Sequence, residues 1–182
     1  MPRARNGAVE IEYQSFGDDR PEAVLLVNGL GAQMTRWPEA FCAKLVARGY
    51  RAIRFDNRDT GKSSWLDGQT YVLADMADDG IAVLDAAGVR RAHIAGVSMG
   101  GMIVQRIALD HPDRVLSMTS IMSAPGLDTL KSTPEAMAVL NVAPPDPKAD
   151  YEAFIAHQMA NARTIGSPAY PWIEADLRAR AE

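Results

Sequence analysis

The chain of 182 residues predicts an α/β protein, a doubly wound and mostly parallel sheet that continues into a helical segment. Three observations carry that expectation. Short apolar runs alternate with helix-length segments up to about residue 124, the pattern of βαβ units. Asn28, Asp56 and Ser98 each stand at the carboxyl end of such a run, where open α/β sheets bind their ligands. Beyond Ala124 the alternation stops, and Pro125, Pro134, Pro144, Pro145 and Pro147 break the pattern.

The elements follow in order. Val9 to Phe16 reads as a partly exposed strand with Val9, Ile11 and Tyr13 on one face. Ala23 to Val27 is a solid apolar run followed by glycines, the mark of a strand buried on both faces. Pro38 to Arg48 predicts a helix, with Pro38 at its first position and Gly49 as a left-handed cap beyond its end. Arg51 to Phe55 is the next strand, and Tyr71 to Ala87 a helix with Ala77, Ile81, Leu84 and Gly88 at helical spacing. Ala92 to Val97 is a strand, Met99 to Leu109 a helix, and Val115 to Met122 a further strand. Residues 1–124 are thus expected to form the core, and residues 125–182 a helical lid or cap that includes an amphipathic helix over Asp150 to Ala162. The sequence stops on DLRARAE, on what reads as a helix, without a return to strands.

Composition excludes several classes. A net charge of −4 gives no basic surface for nucleic acid or an anionic membrane. One cysteine, Cys42, allows no internal disulfide and no zinc knuckle, and its neighbours Phe41 and Ala43 make it a packed hydrophobe. The start, MPRARNGAVE, has no apolar core of a signal peptide, and no run of 18 apolar residues occurs, so a soluble cytoplasmic protein is expected.

The chemistry centres on HIAGVSMGGM, His93 to Met102. Gly96-Val97-Ser98-Met99-Gly100 is a G-x-S-x-G motif with a strand before it and a helix after it, the context of a nucleophile elbow. Side chains two residues either side of the serine would strike the neighbouring strand or helix, which explains the glycines. The turn exposes the Ser98 hydroxyl and aims the Met99 N–H at a developing oxyanion. A second donor is expected from Asn28-Gly29-Leu30-Gly31, with the Leu30 N–H as candidate. A glycine-rich helix start packed on the sheet, and a plain turn after Val27, are the bland readings of the same residues.

Asp56 to Ser63 ends in GKS, but a phosphate loop would need glycine at position 56. Asp56 and Arg58 are instead expected to brace the loops beside the elbow by ion pairing and hydrogen bonds. Trp37 and Met34 suit an apolar acyl or ring group, or simple packing.

A serine nucleophile needs a general base, usually a histidine oriented by a carboxylate. The chain has only three histidines. His93 lies on the same strand as the elbow, roughly 16 Å back at about 3.3 Å per residue. His111 lies past the following helix, roughly 20 Å away at 1.5 Å per residue. His157 falls in the lid, on what reads as a helix surface. Neither His93 nor His111 can reach Ser98, His157 is the remaining candidate, and no Asp or Glu stands out as the orienting acid.

VNGLGAQMTRWP, RFDNRDTGKS and HIAGVSMGGMIVQRIALDHPDRV together resemble the α/β-hydrolase superfamily. More narrowly they resemble the bacterial esterase branch of aclacinomycin methylesterase-like proteins. The resemblance implies that Ser98 is the nucleophile and that the Leu30 and Met99 amides form the oxyanion hole. Many such proteins carry His where this chain has Asn28, which a backbone donor tolerates. The resemblance also implies an acid and a histidine on the last two strand ends, beyond residue 182. Truncation, cleavage or a second polypeptide would each account for their absence. Dehalogenase and epoxide-hydrolase branches need Asp at the elbow, so Ser98 points to acyl chemistry.

The expectation is therefore a serine hydrolase of small carboxylic esters without metal or cofactor, cleavage of a carbon–carbon bond or perhydrolysis being variants on the same site. The alternative is a catalytically incomplete remnant or ligand-binding module. A second polypeptide or an identical copy is the expected cover for the incomplete sheet.

Overall fold

A computed structural model describes residues 1–126, 132–140, 142–170 and 172–182. The chain divides into two compact units, Met1–Leu130 and Lys131–Glu182. Of the expected helical segment, residues 127–131, 141 and 171 lie outside the described residues.

The first unit is a six-stranded sheet in the order β1-β2-β4-β3-β5-β6. Its strands are β1 (Arg3–Asn6), β2 (Val9–Phe16), β3 (Glu22–Val27), β4 (Tyr50–Phe55), β5 (Ala92–Val97) and β6 (Val115–Ile121). The hairpin β1–β2 is antiparallel, β2 joins β4 antiparallel, and β4, β3, β5 and β6 run parallel. Its helices are α1 (Glu39–Val46), α2 (Leu73–Ala86) and α3 (Met99–Asp110).

Alternation along the strands builds two apolar layers. Leu25, Val27, Ile53, Phe55 and Ile94 face α2 and α3 together with Ile81, Leu84, Ile103 and Ile107. Leu26 and Ala52 face the other way, onto Cys42 of α1. Helices therefore cover both faces, which is why β3 reads as an unbroken apolar run. Burial pushes the Cys42 thiol above its ordinary pKa, consistent with a packed side chain and not a reactive one.

Several boundaries differ from the sequence expectation. Strand β1 was not expected, since RARN carries no apolar period. It forms because Arg3 and Arg5 reach Glu10 across the hairpin at 2.8 and 2.7 Å and Ala4 is buried. Pro38 is the cap residue of α1 and not its first helical position, having φ −61 but an extended ψ of 151. Gly49 does take the left-handed conformation expected of it, at φ 91. Helix α2 begins two residues late because Asp75 reaches back to the Val72 N–H at 2.7 Å and closes the first turn there. Gly88 lies outside that helix at φ 69, so it belongs to the exit turn and not to the apolar stripe.

Among the described residues β6 is hydrogen-bonded to β5 alone. Leu116, Met118 and Ile121 on it are between 37% and 43% exposed, high values for apolar residues of a strand in an α/β sheet.

The second unit holds α4 (Pro134–Leu140), α5 (Tyr151–Ile165) and α6 (Glu174–Ala181). The Asp150 carboxylate caps α5 by accepting from the Ala153 N–H at 2.9 Å. Ile155 and Met159 of α5 pack on Leu177 of α6, and Arg178 pairs with Glu152 at 2.8 Å. Among the described residues no helix is long and apolar enough to cross a membrane.

Candidate active site

Ser98 stands between the end of β5 and the start of α3, exposed to solvent. Its backbone has φ 56 and ψ −123, a sparsely populated conformation that costs a non-glycine residue on the order of 1–3 kcal/mol. The surroundings hold it there. The Ser98 N–H donates to the Ile121 carbonyl at 2.9 Å, and the Ser98 carbonyl accepts from the Gly101 N–H at 2.8 Å.

Crowding explains the glycines of the motif. A methyl group on Gly96 would strike the Gly100 carbonyl and lie 2.8 Å from the Gly101 nitrogen. One on Gly100 would strike the Val27 carbonyl and lie 2.6 Å from the Asn28 oxygen. The strand–turn–helix therefore closes only with bare backbone at both places. Gly101, one residue further on, meets Ser123 and Ser120, where a methyl would lie 2.6 and 2.8 Å from their hydroxyls.

The loop after β3 lies directly on this turn. A methyl on Gly29 would lie 3.1 Å from Ser98 Cβ and 3.5 Å from Ser98 Oγ. The loop folds as a four-residue turn in which the Ala32 N–H donates to the Gly29 carbonyl at 3.3 Å and Gly31 has φ 64. Positive φ at the third position is what a type II turn requires. The Leu30 N–H takes no part in that bond and donates no other among the described residues. The same holds for the Met99 N–H, one of the first-turn amides that an α-helix leaves without an internal acceptor. Both sequence-predicted donors are thus free amides on the two segments that meet at Ser98. Leu30 carries its side chain into solvent, 82% exposed.

Asp56, Asn57 and Arg58 leave β4 and tie this rim together. Asp56 Oδ1 accepts from the Met34 N–H at 2.7 Å, and Oδ2 from the Lys62 N–H at 3.0 Å. Gly61 sits so close to that carboxylate that a methyl there would overlap it. The GKS sequence is therefore a turn wrapped on Asp56. Arg58 forms a two-point ion pair with the buried Asp79 of α2, at 2.7 and 2.8 Å. Asp79 holds the guanidinium above its ordinary pKa. The bracing expected of Asp56 and Arg58 is what the structure contains. Sequence reasoning did not supply Asp79, 21 positions from Arg58, nor Asn57, whose side-chain amide donates to the Asn28 carbonyl at 3.1 Å. Both are ordinary polar residues until the fold brings their partners to them.

Each histidine is engaged elsewhere. His93 Nδ1 shares a hydrogen with the Ser117 hydroxyl at 2.7 Å, and its Nε2 lies 3.5 Å from Glu22. His111 pairs with Asp78 at 2.8 Å. His157, half-buried where an exposed position was expected, bonds Asn161 at 2.9 Å. Among the described residues none bonds Ser98, and no group of three or more His, Cys, Asp or Glu side chains is placed to hold a metal ion. Met34 is buried and Trp37 packs beside Phe41, with ring centroids 5.4 Å apart.

Residues 22–163 match the family model described as the alpha/beta hydrolase fold. A rhodomycin D methylesterase of Streptomyces peucetius is 40% identical over 119 residues, which are 64% of this chain and 40% of that protein. A putative carbamate hydrolase of Variovorax paradoxus is 35% identical over 137 residues, 74% of this chain and 51% of that protein. Among solved structures, a meta-cleavage product hydrolase of Pseudomonas fluorescens superposes over the whole chain and 62% of its own, with a TM-score of 0.77 at 20% identity. A protein described as an N-acyl homoserine lactone degrading enzyme gives 0.67 at 30% identity, over 98% of this chain and 64% of its own. The chain spans about half the length or less of these curated relatives.

Proposed function

The chain belongs to the α/β-hydrolase fold family, and from that premise we propose that it is the nucleophile-bearing part of a serine hydrolase of small carboxylic esters. Ser98 attacks the carbonyl and forms an acyl-enzyme. The Leu30 and Met99 amides receive the oxyanion. A histidine and an acid from beyond residue 182 move the proton, the second unit serving as a lid. The further strands that carry them would also cover β6, whose Leu116, Met118 and Ile121 are exposed.

The observation that carries this reading is the strained, crowded turn at Ser98. Its backbone conformation costs free energy, and three glycines are needed to build it. Relatives named as a methylesterase and as carbamate hydrolases support an acyl substrate with an ester or related bond. Three histidines all bound elsewhere support a base supplied from outside these residues.

The test is hydrolysis of p-nitrophenyl acetate and butyrate by the chain, with and without imidazole as a diffusible base, and with Ser98→Ala as control. Ser98-dependent release that requires imidazole is the expected result. Ser98-dependent release without imidazole would keep the nucleophile but place the base within the chain, with His157 the first to mutate. No Ser98-dependent release under either condition would replace the enzyme reading with that of a binding module.

A further inference from the structure

Resting on the reading of Ser98 as nucleophile and Leu30 as oxyanion donor, we infer that Asn57 is a positioning residue that sets the Leu30 amide against Ser98. The path is short. Asn57 Nδ2 donates to the Asn28 carbonyl at 3.1 Å, and both residues are almost wholly buried. Asn28 is the first residue past β3, so its carbonyl opens the oxyanion loop. The plane of the Asn28–Gly29 peptide fixes where the next peptide, which contains the Leu30 N–H, must point.

Gly100 of α3 packs against the Asn28 carbonyl, but few hydrogen bonds hold that plane. Gly29 has no side chain to restrict its rotation. The Asn28 side chain donates to the Gln33 carbonyl at 3.0 Å, and the Ala32 N–H closes the turn on Gly29 at 3.3 Å. Both of those bonds lie inside the loop and move with it. Asp56 anchors the far end through the Met34 N–H at 2.7 Å. Among the described residues Asn57 is the one side chain from outside the loop that holds its first carbonyl. Gly29 packs against Ser98 Cβ, so a rotation of this peptide is felt at the nucleophile.

The geometry separates two adjacent residues by role. Asp56 closes the loop, whereas Asn57 sets the orientation of its first peptide. A misplaced oxyanion donor weakens binding of the transition state and leaves the ground state alone. Loss of the Asn57 donor should therefore fall on kcat and spare KM.

The experiment compares Asn57→Asp, of equal shape but lacking the donor, with Asn57→Ala and with the donor-retaining Asn57→Gln. p-Nitrophenyl butyrate release is followed in imidazole, and amide resonances are read by 15N correlation spectra of the same chain. Asn57→Asp and Asn57→Ala are expected to lower kcat by roughly 10- to 100-fold with KM within about twofold, the scale of a donor displaced by an ångström. They should also move the Gly29, Leu30 and Gly31 resonances while leaving those of α2 in place, and Asn57→Gln should restore part of both. Unchanged loop resonances and kcat, with or without a lower Tm, would overturn the inference. If the parent chain shows no Ser98-dependent release, the serine-hydrolase reading fails by itself. The spectra then still decide whether Asn57 holds the loop.

Discussion

The two ends of the parallel strands each carry a serine, and they are built in opposite ways. At the amino end, Ser117, His93 and Glu22 line up at 2.7 and 3.5 Å in the order serine, histidine, carboxylate. At the carboxyl end, Ser98 has no histidine beside it among the described residues. By side chains alone the first looks like a triad and the second does not. The backbone reverses that ranking. Ser117 lies on β6 opposite His93, just past a shift in the β5–β6 register, and has none of the positive φ found at Ser98. Ser98 sits at φ 56 amid glycines, with two free amides on the segments around it. Reactivity toward an acyl group needs a place for the oxyanion, and in the proposed function that place is made of backbone amides. A serine–histidine–carboxylate row without one is a surface hydrogen-bond chain.

The largest expected effect breaks the comparison directly. Ser98→Ala should abolish the ester release that the chain adds in imidazole, leaving only the rate of imidazole and the ester alone. Ser117→Ala and His93→Ala should each leave that release unchanged. A loss with Ser117→Ala would transfer the active role to the amino end.

Stability sharpens the same contrast. Arg58 and Asp79, which brace the carboxyl end, are 6% and 1% exposed, whereas His93 and Glu22 are 29% and 57% exposed. Arg58→Ala would leave the Asp79 charge buried without its partner and should cost about 3–5 kcal/mol in urea unfolding. Glu22→Ala should cost about 1 kcal/mol or less. Equal losses at the two ends would show that the buried pair is not what supports the rim.

The remaining effect concerns the turn itself, where the cost in stability is smaller than that of breaking the buried pair. Gly100→Ala places a methyl against the Val27 and Asn28 carbonyls, an overpacking that should cost roughly 1–3 kcal/mol. It should also abolish Ser98-dependent release in a chain that remains folded by circular dichroism. Retained release would mean that the turn does not need its bare backbone.

Much of this was legible in the sequence, and for a physical reason. The apolar run of β3, the glycines around Ser98 and the Gly49 that follows α1 are local signals, each read within a few residues. The motif even states its own packing, since Gly96 and Gly100 are glycine because strand and helix touch there. Strand β1 was not legible because arginine pairs with Glu10, not apolar burial, hold most of it. Asp79 and Asn57 were not legible because their roles depend on partners 21 and 29 positions away. No window of sequence contains both halves of those bonds.

The most direct test of the central claim is the site of acylation. The chain would be treated with p-nitrophenyl acetate in the presence of imidazole, quenched in acid and mapped by peptide mass spectrometry. The account predicts one acetyl group on the peptide that holds Ser98, absent from Ser98→Ala, and none on the peptide that holds Ser117. Acetyl on Ser117 with Ser98 unmodified would contradict it, as would a folded chain that acquires no acetyl on Ser98.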